Sequence, residues 1–202
     1  IKDKLNQVYL LASIGFLALI DVVPVGKRYL TPEDFVSERK YEANFEPRKV
    51  DEQIFQFEKK GRGYYRVFDQ SINTYNSSKT SYFHNTIGGY HAAKLQRIQD
   101  VIDRYLSGNL NMDVVNMLNG KYFIFNREGQ TQMQVNAEAL GNAWLVEKLK
   151  VVQSANEEID ALANFDPGVT AIVHKEFSDQ IQDNYSNLGD ISLREYRPDR
   201  LV

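Results

Sequence analysis

The sequence predicts an α+β fold, a mixed and mostly antiparallel sheet with packed helices, preceded by a hydrophobic N-terminal helix. Helical and strand patterns interleave along the chain without a regular βαβ rhythm. A hairpin pattern joins Lys121–Phe125 to Thr131–Val135 through Asn126-Arg-Glu-Gly129. Ahead of both lies an apolar run, Val8 to Ile20, with no polar residue larger than serine or tyrosine. We therefore expect residues 1–25 to form a hydrophobic helix, the end of a membrane span, and residues 26–202 to form the α+β domain.

The run alone is shorter than the roughly 20 residues a helical span needs. Counted through Asp21 to Val25 it reaches about 18, which suffices. Lys2 and Lys4 precede it, which places its start in the cytoplasm by the positive-inside rule. Pro24 and Gly26 are expected to stop the helix, leaving Lys27-Arg28-Tyr29 in the outer interface. A buried core helix and a signal remnant also fit the run, but no small-residue cleavage site follows it.

Thr31-Pro-Glu-Asp34 predicts a short helix, with Thr31 as N-cap and Pro32 in the first turn. Glu46 to Lys60 predicts another, with Val50, Ile54 and Phe57 on one face and Gly61 as its C′ residue. Gly63 to Phe68 reads as a strand. Asp69 to Gly89 reads as a long polar loop, of a length that is usually functional or disordered. Tyr90 to Ser107 is the strongest helical pattern, burying Leu95, Ile98, Ile102, Tyr105 and Leu106, and Gly108 ends it. Asn111 caps a helix to Leu118, and Asn119-Gly120 turns the chain into the hairpin. Ala143–Val152 predicts a longer strand, and Ser154-Ala-Asn-Glu157 a capping box before a further helix. Asp166-Pro-Gly168 marks a turn. Val169–His174 and Ile191–Tyr196 predict the last strands.

The net charge of −3 offers no basic excess for nucleic acid. Cysteine is absent, which excludes disulfides, thiol catalysis and Cys-type zinc sites. The chain contains no nucleophile elbow, no Walker loop, no complete dinucleotide fingerprint and no zincin motif, and it carries no cofactor signature. Gly61-Arg-Gly63 is a fragment of a glycine pattern. His84 and His91 could share a metal with a carboxylate, but their spacing fits no recognised ligand motif. Lys59, Lys60, Arg62 and Arg66 read as a solvated basic cluster that could also meet anionic head groups.

The segment Tyr64–Arg97 is the best candidate site. It gathers Tyr64, Tyr65, Tyr75, Tyr82 and Tyr90, two of the three histidines, Gly88-Gly89, Lys94 and Arg97 around one loop. A helix opening after Gly88-Gly89 would present free N–H groups to a phosphate or carboxylate, with His91 and Lys94 near the same pole. Tyrosine faces suit sugar rings. Tyr82, His84, Gly88, Gly89, Tyr90, His91, Lys94 and Arg97 are the expected anion- or glycan-binding residues. The alternative, which the pattern favours, is a scaffold in which the glycines make a tight turn and the tyrosines fill the core beneath it.

At Tyr82-Phe-His-Asn-Thr-Ile-Gly-Gly-Tyr-His-Ala-Ala-Lys-Leu95 the chain resembles the YfhO family of polytopic bacterial membrane proteins. Ile20-Asp-Val-Val-Pro-Val-Gly-Lys-Arg-Tyr-Leu30 is similar to the end of a membrane helix in that family, and Tyr65-Arg-Val67 to its first strand. Asn116-Met-Leu-Asn-Gly-Lys-Tyr-Phe-Ile124, Ala139-Leu-Gly-Asn-Ala-Trp-Leu145 and Ile191-Ser-Leu-Arg-Glu-Tyr-Arg-Pro198 follow in order. The resemblance implies an extracytoplasmic domain on the bacterial cytoplasmic membrane, truncated before a further β-rich region. It also implies kinship with C-type glycosyltransferases, which move sugars from a polyprenyl-phosphate carrier to an envelope acceptor. Their acidic catalytic motif lies in an early outer loop with no counterpart in this chain, so the chain alone is expected to be inactive. The rival expectation is a non-catalytic interaction domain of an envelope assembly.

Overall fold

The computed structural model describes residues 2–58, 64–180, 189, 191–197 and 199–202. Lys59, Lys60, Gly61, Arg62 and Gly63 lie outside the described residues, and with them the expected C′ glycine, the start of the first strand and most of the basic cluster. The chain divides into two compact units, residues 1–46 and 47–202. Residues 26–46 fall in the first of these units.

The first unit is dominated by helix α1, Lys2–Tyr29. It runs through Pro24 and Gly26, which do not end it as expected. Proline costs one i→i−4 bond, but its fixed φ is itself helical, so a single proline bends or weakens a helix without having to stop it. The last turn closes with the Leu30 N–H donating to the Gly26 carbonyl at 2.9 Å. None of the apolar window of α1 is buried inside the chain. Asn6–Tyr29 is long and apolar enough to cross a membrane. Beyond it, the Thr31 N–H and hydroxyl donate to Asp34 Oδ2 at 2.6 and 2.9 Å, closing the short 3-10 turn Pro32–Asp34. Helix α2, Glu38–Glu42, follows.

The second unit is α+β. Helix α3, Lys49–Phe57, buries Val50 and Ile54, while Phe57 is exposed instead of joining them. Phe57 sits in the final turn, past the edge of the packed face. Strand β1, Arg66–Asp69, pairs in parallel with β2, Gly120–Arg127, and β2 pairs antiparallel with β3, Gln130–Val135. The β2–β3 turn has only two residues, Glu128 at φ 53° and Gly129 at φ 77°. Two successive positive φ values match the right-handed twist of the flanking strands, so Asn126 and Arg127 extend the ladder rather than the loop. One core forms where α3 lies on this sheet, from Val50, Ile54, Tyr65, Val67, Tyr122 and Ile124.

The long polar segment 69–89 is ordered by the sheet it leaves. It contains helix α4, Lys79–Phe83, and returns beside β1. There the Val67 N–H donates to the Asn85 carbonyl at 2.8 Å, and the Ile87 N–H donates to the Val67 carbonyl at 3.0 Å. Helix α5 spans only Gln96–Val101 and passes into a π-turn over Ile102–Leu106. The expected helix from Tyr90 therefore starts six residues late. The His91 ring accepts the Ala93 N–H at 3.1 Å, a local bond that competes with a first helical turn. Leu95 becomes the exposed N-cap, and Ile98 is partly exposed, so only Ile102, Tyr105 and Leu106 of the expected stripe are buried.

Helix α6, Met112–Met117, is capped by Asn111, whose Oδ1 accepts the Val114 N–H. Val114 and Val115 complete a second core with Ile102, Tyr105 and Leu106. Strands β4, Lys148–Val152, and β5, Thr170–His174, are parallel and joined by helix α7, Ala155–Ala161. The strand expected from Ala143 begins only at Lys148. Ser154 accepts the Glu157 N–H, and the Glu157 carboxylate returns to the Gln153 N–H. The last strands are short: β6, Tyr196–Arg197, and β7, Arg200–Leu201. Two of the four strand pairings among the described residues are parallel, and each has a crossover connection containing helix.

Candidate functional site

The expected anion cradle does not form at Gly88-Gly89. The Gly89 N–H donates to the Thr74 carbonyl at 2.7 Å, and the Gly88 N–H donates to Thr86 Oγ1 at 3.1 Å. No helix begins there, so neither open amides nor a dipole end is presented. Gly88 is required by a close approach, since a Cβ at this position would lie 2.1 Å from the Thr74 carbonyl oxygen. Gly89 adopts φ +101°, which a side chain rarely tolerates. The pair makes a closed turn.

His84 is not a surface contact either. Its side chain is fully buried, with Nε2 at 3.2 Å from Asp51 Oδ1 and Nδ1 at 3.1 Å from the Tyr65 hydroxyl. Ionised Asp51 can only accept, so Nε2 donates to it, while Nδ1 shares a hydrogen bond with the Tyr65 hydroxyl. Arg48 clamps the same carboxylate through Nε and Nη2 at 2.8 and 2.9 Å, and it reaches Asp69 Oδ2 at 2.8 Å. Asp69 also accepts from Thr80 and Ser71. Burial pushes the Asp51 carboxyl up, but the hydrogen bonds from His84 and Arg48 outweigh it and hold the group well below the usual carboxylate range. This network ties α3, β1 and α4 together from inside. No local pattern in the sequence marks it, because its members lie far apart along the chain.

The remaining residues expected at the site stay on the surface. Tyr82 and Tyr90 are exposed, as is His91. Lys94 places Nζ 5.6 Å from the centre of the Tyr75 ring. The Tyr75 hydroxyl donates to the Leu106 carbonyl, and burial raises its pKa to about 12. Tyr75 is thus an anchor for the loop beneath a surface cation. Arg97 is drawn away to Glu158, at 3.4 Å.

Arg97 leads to a feature the sequence reading missed, an open cleft of about 910 Å³ between α5, α7 and the segment before β4. Its floor is apolar, with Ile159, Leu162, Phe165 and Ile172. Its rim carries Arg97, Asp100, Asp103, Arg104 and Glu158, and Trp144 forms part of the wall. Arg104 pairs with Asp160, so both arginines are already neutralised by α7. The Trp144 indole N–H donates to the Pro167 carbonyl at 2.7 Å, which holds the ring and explains why residues 143–147 leave the strand. A lone tryptophan in an irregular segment is the one signal that could have pointed here. An apolar floor under a polar rim suits a ligand with one hydrophobic face and several hydroxyls.

Comparison with family models, with curated proteins and with solved structures finds no match to this chain.

Proposed function

We propose that this chain is a membrane-anchored extracytoplasmic domain, accessory to a polytopic protein that resembles the YfhO family and the lipid-linked-sugar glycosyltransferases. The observation that carries the reading is α1, whose apolar side chains find no cover within the chain while a separate α+β unit follows it. An exposed apolar stretch of this length is costly in water and stable in a bilayer. Lys2 and Lys4 at one end are matched by Lys27 and Arg28 at the other, so the placement of the α+β unit on the outer side is taken from the resemblance to the YfhO family.

In this reading the unit holds a polyprenyl-phosphate sugar or an envelope glycan while the parent protein supplies the chemistry. The cleft beside Trp144 takes a sugar face, with Arg97 on its rim, and the exposed Tyr82, Tyr90 and His91 with the half-buried Lys94 offer aromatic and cationic contacts to the carrier or acceptor. His84, Gly88 and Gly89 shape the loop that carries them. Trp144 is the only tryptophan in the chain, so its fluorescence reports on the cleft alone. Titration with envelope glycans and with polyprenyl-phosphate sugar in vesicles should shift that emission saturably. Unchanged emission with every such ligand would leave the non-catalytic interaction domain as the better reading.

A further inference from the structure

The charge distribution along α1 is uneven. Between Gln7 and Gly26 the sole ionisable group other than the Tyr9 phenol is Asp21. It lies about 9 Å along the axis from Lys27, well inside the apolar window. Aspartate is too short to reach the interface from such a depth, unlike lysine or arginine. The same turn carries a second unmet acceptor. Pro24 has no N–H, so the Ile20 carbonyl lacks the helical donor it would otherwise receive. Pro24 and Asp21 are three residues apart and share one face with Leu17, Ala18 and Val25. One side of α1, at one depth, thus presents two acceptors and no donor.

Resting on the reading that α1 spans a bilayer, we propose that this face docks against a second transmembrane helix that carries a lysine or arginine at the depth of Asp21. Charge complementarity selects this occupant. A second copy of α1 cannot serve, because its cations are confined to Lys2, Lys4, Lys27 and Arg28 at the two ends. A parallel copy would bring two Asp21 carboxylates together, and an antiparallel copy would set Asp21 against uncharged residues near Ser13. A cationic helix would answer Asp21 with an ion pair and offer its remaining N–H groups to the Ile20 carbonyl. Ala18, small and one turn away, lets the two backbones approach.

The test uses the whole chain reconstituted in phosphatidylcholine vesicles. The probe is a synthetic leucine–alanine helix bearing a single arginine at the matching depth, with an all-apolar version as control. Association is read by energy transfer between labels on chain and probe. We expect the arginine helix to associate roughly tenfold more tightly than its apolar control, and Asp21→Asn to remove most of that preference. Asp21→Arg should transfer the preference to a probe carrying aspartate. Equal association of both probes with the wild-type chain overturns the pairing. Insertion is checked separately with Ser13→Cys. Reaction of that thiol with an aqueous maleimide in sealed vesicles would overturn the span, and the pairing with it. Protection of the thiol without arginine preference would overturn the pairing alone.

Discussion

Nε2 of His84 lies 3.2 Å from Oδ1 of Asp51, and neither side chain touches solvent. Around this contact the α+β unit is held from within by charge and hydrogen bonds, where the sequence suggested a ligand. Every buried side-chain polar atom among the described residues has a partner, so the network carries no unmet donor or acceptor. Breaking one member exposes the rest to that cost.

The Asp51 carboxyl is depressed in the folded chain, so it binds a proton less readily there than when unfolded. Its stabilisation is full above the unfolded carboxylate pKa, near 4, and is lost as pH falls from there toward the folded value. Thermal melts should therefore show Tm falling steeply below about pH 4. Asp51→Asn should cost about 3 kcal/mol at neutral pH, because it removes the charge paired with Arg48 and turns an NH2 donor toward the donors of Arg48 or His84, and it should flatten that acid limb.

Gly88→Ala should be strongly destabilising, because the added methyl meets a backbone carbonyl that cannot turn aside. We expect a loss of about 1–3 kcal/mol by denaturant titration. Gly129→Ala meets no neighbour, and its cost should come from the positive φ alone, about 1 kcal/mol.

Lys94→Ala should change stability by no more than about 0.5–1 kcal/mol, the worth of its contact with the Tyr75 ring. On the proposed reading, the same substitution in the full-length protein should reduce sugar transfer. A wild-type transfer rate with Lys94→Ala would remove Lys94 from the proposed contacts.

A chain beginning at Pro47 should fold without α1, since both hydrophobic cores lie wholly within residues 47–202. Circular dichroism and a cooperative melt would show this, and an unfolded product would contradict it.

Much of the fold is legible from local chemistry. The Val8–Ile20 run, the Asn111 and Ser154 caps and the Gly129 hairpin all act through neighbours within a turn, so their residues declare them. Failures occur where a competing bond or a distant partner decides. His91 takes the Ala93 N–H and delays α5, and Trp144 binds Pro167 and shortens β4. The expected helix entry at Gly88-Gly89 fails for the same reason. Gly88-Gly89 resembles a helix entry in isolation, but Thr74, far back in the loop, accepts the amide. Asp51 and Asp69 stand in no local motif, and His84 reads as a ligand contact, until the fold brings them together.

On the proposed reading, α1 crosses a membrane and leaves the α+β unit outside. The native chain has no cysteine, so single-cysteine labelling reads this directly. Asn6→Cys and Gln132→Cys report the two ends, both at exposed positions. In intact bacterial cells expressing the full-length protein, with any cysteine outside these 202 residues replaced, a membrane-impermeant maleimide should label position 132 at once and position 6 only after permeabilisation. Labelling of both positions from outside, or of position 132 only after permeabilisation, would contradict it.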